Sequence, residues 1–153
     1  MVIATEEIEV WIRDMGYITV KPLTLEPSYY KLKDGTIIKA HIHINHLSPD
    51  PRSPQGFAVN STNMMISYVP KEKRNPNAFQ PYSQTELQTG IIDDDMEPEP
   101  LRENFSVYEL SNGMTLSVKT IAGQISKTKF FSQDGDPVYV VNTTPIIKVK
   151  KNQ

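Results

Sequence analysis

The chain has 153 residues, of which 38% are hydrophobic, 12 are proline and 7 are glycine, and its formal net charge is −2. This length fits one ordinary domain or two very small ones, and the proline content favours short elements joined by turns. Because cysteine is absent, disulfides, thiolate zinc sites, iron–sulfur clusters and cysteine nucleophiles are excluded.

The sequence shows no targeting or membrane-spanning pattern. No apolar segment approaches the ~20 residues that cross a bilayer. The first residues lack the basic and apolar regions of a signal peptide. We therefore expect a cytoplasmic protein that does not contact membranes.

A short amphipathic helix is predicted near the N-terminus, because four apolar residues recur at the spacing of one helical face. These residues are Ile8, Trp11, Ile12 and Met15. Thr5 is the expected N-cap, and Gly16 is expected just after the helix. Alternation of apolar residues over 8–12 leaves a strand as the alternative. Residues 17–20 are predicted to form a strand that Pro22 ends.

A small β unit is predicted from Tyr30 onward. Its first strand is followed by Asp34-Gly35, which supplies the positive φ angles of a tight hairpin turn. The next strand, 36–46, alternates apolar and polar residues, so we expect one face in the core and the other in water.

The predicted unit ends with a loop and two short strands. Residues 48–56 contain three prolines and form the loop. The strands, 57–60 and 64–69, are expected to flank a polar turn. Residues 71–103 lose all apolar periodicity and are predicted to be a linker or a mobile excursion.

The unit recurs in the second half of the chain. Tyr108 and Asn112-Gly113 match the first copy at an offset of 78 residues, whereas Asn142 matches Asn60 at an offset of 82. The additional residues lie in the loop around 127–136, where insertions are tolerated. Turn residues and inward apolar positions are what recur, and we interpret the pattern as an internal duplication.

The predicted fold is mainly β, with two tandem, internally duplicated small β-barrel units of the SH3-like or Sm-like kind and a short N-terminal helix. The helix and the first repeat occupy 1–70, and the second repeat occupies 104–153. The acidic, proline-containing segment between them, 71–103, has four basic and eight acidic residues. Both repeats are mildly basic.

Three histidines form a candidate metal site. His41 and His43 stand at i and i+2 of the alternating strand, so their imidazoles lie on the same side and could share zinc or another transition metal. His46 completes the cluster in sequence, but it points to the opposite face if the strand stays regular. The second copy has Lys119 and Ile121 in place of the first two. The alternative is that the histidines only cover a solvated strand face.

Polar and basic residues near the strand ends form a second candidate site. Asn60 and Thr62 have counterparts in Asn142 and Thr144, and each pair either ties down a turn or forms a polar loop that binds a ligand or nucleotide. On the C-terminal strand, cations alternate with apolar residues. These cations, Lys148 and Lys150, either contact phosphates or protect a sheet edge.

Catalytic motifs are missing from the sequence. There is no Gly-x-Ser-x-Gly, no glycine-rich phosphate loop and no His-Glu-x-x-His. This favours a non-catalytic protein. No cofactor is expected apart from the possible transition metal.

The two hairpins carry a resemblance to a known family. The segments 32–36 and 110–114, Leu-Lys-Asp-Gly-Thr and Leu-Ser-Asn-Gly-Met, resemble the first hairpin of the Sm-like (LSm) small β-barrel proteins. An N-terminal helix followed by short strands is also similar to that family. The chain departs from the family pattern at the second glycine. The resemblance implies RNA binding, through Asn60 and Asn142.

The sequence thus favours a non-catalytic binding or assembly module that engages a protein partner or associates with itself. One alternative is RNA or single-stranded nucleic-acid binding through the basic repeats. The other is a metal-binding protein or metal-dependent enzyme that uses His41 and His43.

Overall fold

The structure is a computed structural model that describes residues 2–151, and it is mainly β. Two α-helices and nine strands are assigned in this range, in addition to a short 3-10 helix at Lys71–Lys73. In chain order they are α1 (Thr5–Asp14), β1 (Val20–Thr24), β2 (Ser28–Lys31), β3 (Ile37–Pro49), β4 (Phe57–Tyr68), α2 (Gln84–Thr89), β5 (Ile91–Asp93), β6 (Glu99–Arg102), β7 (Ser106–Leu110), β8 (Met114–Phe131) and β9 (Pro137–Lys151).

The strands form two antiparallel sheets. Sheet A has the order β4-β3-β2-β6. Sheet B has the order β1-β7-β8-β5, and β9 also pairs with β8. Each sheet contains a three-stranded meander from one half of the chain and one strand from the other half, because β6 joins β2 and β1 joins β7. Sheet B also includes the short strand β5, which pairs with β8.

Residues that pair in sheet A correspond to residues that pair in sheet B at the offset of 78 residues found in the sequence. Tyr30 pairs with Ile38 in sheet A, and Tyr108 pairs with Leu116 in sheet B. The correspondence extends to the exchanged strands, because Tyr30 also pairs with Pro100 and Tyr108 with Pro22. The repeated pattern therefore begins earlier than Tyr30 and includes β1 and β6.

The two sheets pack face to face around two hydrophobic clusters. The first contains Ile42, Ile44, Leu47, Phe57, Tyr108, Leu110, Leu116 and Val118. The second contains Tyr30, Leu32, Ile38, Met96 and Ile125, with Ala122, Tyr139 and Val141 packed against it. The first cluster joins the β3–β4 end of the first meander to the β7–β8 end of the second. The second cluster joins the β2–β3 end of the first meander to the β8–β9 end of the second. Because burying one such side chain stabilises a fold by roughly 1.5–3 kcal/mol, each half depends on the other for its core.

Several sequence predictions are confirmed. The N-terminal helix is present, although its N-cap is Ala4 rather than Thr5 and no side chain caps it. The expected alternation of β3 is also present, with Ile38 and Ile42 buried on one face. The prediction that each repeat closes into its own small barrel is not confirmed, because the observed pairings give two packed sheets.

The segment 71–103 differs from the predicted linker or excursion. It contains α2, β5 and β6, and it buries Leu87 and Met96. A capping box starts α2, in which Ser83 and Glu86 bond each other's backbone N–H groups. Such local order is hard to recognise in an acidic sequence because isolated apolar residues, rather than a periodic row, anchor it to the sheets.

The polar triplet 60–62 is not a turn. It lies inside β4, and its counterpart 142–144 lies inside β9. A bulge in β3 at Asn45 places that side chain against β4, where it donates to Asn60 Oδ1 and Thr62 Oγ1 at 2.8 Å each. Because the side chains bond across strands, the backbone stays extended. The strand predicted to end at Pro22 also continues through it, as an edge strand allows.

Candidate functional site

The outer face of sheet A carries a half-exposed apolar surface. On β4 the side chains of Met64, Ile66 and Tyr68 follow one another on the same face of the strand and are 48–52% exposed. Leu25, which follows β1, is 53% exposed beside them. We call these four residues the apolar patch. A continuous apolar surface of this kind marks an interaction site more often than scattered apolar residues do.

The corresponding face of sheet B is basic. Lys119 and Lys148 place their ammonium groups 4.7 and 4.8 Å from the centre of the Phe105 ring. Lys150 follows on the same face of β9 and is exposed. The two outer faces therefore differ in chemistry.

The two long edge strands differ in the same sense. Among the described residues, β4 pairs only with β3, and β9 pairs only with β8. The twelve residues of β4 include no charge, whereas β9 carries Pro145 and three lysines near its end. Lysine and proline on an edge hinder the addition of a further strand, so β9 is protected. β4 lacks these residues, and its Asn63 side chain donates to Thr143 Oγ1 of β9 at 3.4 Å.

A cleft of about 260 Å³ opens on the outer face of sheet A. It is lined by Leu25, Pro27, Lys39, His41, Met64 and Ile66. The cleft therefore adjoins both the apolar patch and the free edge.

The three histidines do not form a metal centre together. His41 lines the cleft and is half-buried, and burial, together with the nearby His43 and Lys39, lowers its pKa. His43 is exposed on β3, whereas His46 packs edge-on against Tyr17, with ring centroids 6.2 Å apart. Within residues 2–151 no three His, Asp or Glu side chains are placed to hold one metal ion.

The polar candidate residues are divided between the two outer faces. Asn60 and Thr62 accept bonds from Asn45 on sheet A. Asn142 and Thr144 are exposed on β9 of sheet B. The structure thus separates the two pairs, and they do not line a common pocket.

A polar cluster lies between the sheets near the second core. The Tyr139 hydroxyl donates to Asp34 Oδ2 and lies 3.0 Å from Thr36 Oγ1, while Lys127 Nζ is 3.3 Å from the same carboxylate oxygen. Burial raises the pKa of Asp34, but hydrogen bonds from Tyr139, Thr36 and Lys127 outweigh burial and leave it lowered. Burial and the bond to Asp34 raise the pKa of Tyr139. All these groups are satisfied by one another, so the cluster is structural.

Sequence analysis did not identify the apolar patch or the role of Phe105. One signal was present, because residues 57–68 contain no charge whereas the matching strand ends in lysines. The exposure of the apolar residues of β4 could not be predicted, since a strand's edge position cannot be read from its own sequence.

Comparisons of the chain with protein-family models, with curated proteins and with solved structures found no match. The resemblance to Sm-like proteins therefore stays a prediction. None of the helices in the described range is long and apolar enough to span a membrane.

Proposed function

We propose that the protein is a non-catalytic assembly module that associates with a second copy of itself along β4. The observation that carries this proposal is the uncharged, twelve-residue free edge of β4 beside the apolar patch. An added strand would satisfy the unpaired backbone groups of that edge, as in other cases of β-augmentation.

A second copy fits this edge for two reasons. Two β4 strands meet in antiparallel orientation without opposing charges, because neither has any. The outer faces then form one continuous sheet, and the two apolar patches become neighbours. Pairing of β9 with another β9 would instead bring lysines together.

Sedimentation velocity over a range of protein concentrations tests the proposal. The wild type is expected to shift from monomer to dimer, and Ile66→Lys is expected to stay monomeric because it places a charge within the apolar patch of the interface. Ile92→Lys is the matched control, since Ile92 is 64% exposed on β5 and far along the chain from β4. A wild type that stays monomeric at high concentration would overturn the proposal.

A second candidate function is single-stranded nucleic-acid binding on sheet B. It is favoured by the convergence of Lys119 and Lys148 on Phe105, with Lys150 nearby. Cations beside an aromatic ring suit phosphates and stacked bases. Fluorescence anisotropy with a labelled oligonucleotide at low salt tests it: Lys148→Ala and Lys150→Ala together should weaken binding and reduce its salt dependence. Unchanged binding in that variant would remove this candidate.

We further infer that the chain is an internal duplication whose two units exchange their first strands. Coincident registers in sheets A and B support this inference. In a duplicated chain, residues separated by 78 or 82 positions occupy equivalent places in the two units. A difference between two such residues then reflects a difference in what the two outer faces bind.

A further inference from the structure

The cleft on sheet A and the Phe105 site on sheet B occupy equivalent positions. Pro27 precedes β2 as Phe105 precedes β7, at the offset of 78 residues. His41 of the cleft corresponds to Lys119, and Ile66 corresponds to Lys148 through the pairings Lys39–Ile66 and Ser117–Lys148.

The two sites differ in whether they are filled. On sheet B the Phe105 ring occupies this position and contacts the ammonium groups of both Lys119 and Lys148. On sheet A the smaller Pro27 leaves the cleft of about 260 Å³ in the same place. An apolar cavity of about 150 Å³ is enough to hold benzene, so this cleft has room for one aromatic side chain.

The cleft also has the chemistry that an aromatic ring prefers. Leu25 and Ile66 offer apolar contact, and the thioether of Met64 makes favourable contacts with aromatic rings. Lys39 supplies a cation at the wall, as Lys119 and Lys148 do for Phe105. His41 adds a second flat ring.

We propose that this cleft binds an aromatic side chain of the second copy, in the position that Phe105 occupies on sheet B. The proposal rests on the proposed function, in which a second copy covers this face. It specifies which class of side chain anchors that contact. Aromatic side chains are the commonest anchors of protein interfaces, since one ring buries a large area at little entropic cost.

The test uses N-acetyl-phenylalaninamide as the probe and N-acetyl-alaninamide as its control. Protein is kept dilute enough to be monomeric, and the methyl signals of Met64 and Ile66 and the ring signals of His41 are followed by NMR. The phenylalanine probe should shift all three saturably, with a dissociation constant on the order of 1 mM. The alanine probe should shift none of them.

Two variants complete the test. Pro27→Phe should fill the cleft from within and weaken probe binding about tenfold or more. Glu109→Phe adds the same ring at an exposed position of β7 and should leave probe binding unchanged. Dispersed amide signals check that each variant is folded. If Pro27→Phe does not fold, Met64→Glu takes its place, with the same expected loss.

The outcomes separate this inference from the proposed function. If the wild type dimerises and Ile66→Lys prevents it, but the probe leaves Met64 and His41 unshifted, only the aromatic site is wrong. If the probe binds in the cleft of a protein that never dimerises, the aromatic site stands and self-association falls. Equal shifts from both probes, or shifts confined to other residues, would overturn the inference.

Discussion

At the scale of single residues, the polar cluster around Asp34 is the main departure from the symmetry of the two halves. The positions that correspond to Asp34, Thr36 and Tyr139 hold Asn112, Met114 and Phe57, and Phe57 belongs to the first core. One end of the sandwich is thus held by a partly buried charge with its partners, and the other by apolar packing.

Tyr139→Phe is expected to destabilise the fold by about 1.5–3 kcal/mol, the range for a hydrogen bond to a charged group. The change removes the donor to Asp34 while leaving the ring in place. Urea unfolding measures the effect. Tyr17→Phe is the control, since Tyr17 is exposed, and its free energy of unfolding should change by no more than about 0.5 kcal/mol. Equal effects in the two variants would contradict the assigned role.

The same cluster predicts how stability depends on pH. Tyr139 has a raised pKa, so its contribution is complete below its ordinary pKa of 10.0 and is lost as pH rises above that value. Asp34 has a lowered pKa, so its contribution is present above its ordinary pKa of 3.8 and is lost as pH falls through the folded-state pKa. Unfolding free energies measured across pH should fall at both ends, and Tyr139→Phe should lose part of the alkaline decrease.

At the scale of elements, two glycines that lie in similar hairpin turns, before β8 and before β9, differ in their surroundings. Gly113 and Gly135 both have positive φ, +85° and +88°. A Cβ added at Gly113 would meet open space, whereas one at Gly135 would lie 2.6 Å from the backbone nitrogen of Pro76. The segment after β4 is therefore seated directly on the turn before β9, where Asn75 N also donates to Gly135 O and Arg74 pairs with Asp136.

Gly113→Ala is expected to cost about 1–2 kcal/mol from the left-handed backbone alone. Gly135→Ala should cost more, because the added methyl also displaces the backbone of 75–76. Thermal unfolding compares the two, and hydrogen exchange should show faster exchange of the Asn75 amide only in Gly135→Ala. Similar losses of stability would mean that the seated segment contributes little.

The sequence predicted elements well where local signals were strong. The alternation of β3 and the Asp34-Gly35 turn both follow from short-range patterns, and both are present. The pairing of β6 with β2 could not be predicted, because it depends on contacts between residues that are distant along the chain. Met96, which precedes β6, is buried by such contacts. The apolar patch was missed for a related reason, since edge and central strands look alike until their partners are known.

At the scale of the whole molecule, the two clusters predict a single cooperative unfolding transition. Leu47 and Ile125 are equivalent residues, each fully buried in a different cluster. Leu47→Ala and Ile125→Ala should each cost about 2–5 kcal/mol and shift the same transition without splitting it. Near-ultraviolet and far-ultraviolet circular dichroism should give coincident urea curves. Two separate transitions in either variant would show that the halves fold independently.

The exchange of β1 and β6 also constrains the order of events during synthesis. Thr19 reaches its hydrogen-bond partner Ser111 only across 92 positions of chain, and β1 has no sheet to join until β7 has emerged from the ribosome. Such distant pairing slows folding, because the chain entropy of a large loop is lost before most contacts form. Between the synthesis of β4, which ends at Tyr68, and that of β7, which begins at Ser106, the nascent chain therefore carries a first meander that lacks its partner sheet and exposes the β4 edge.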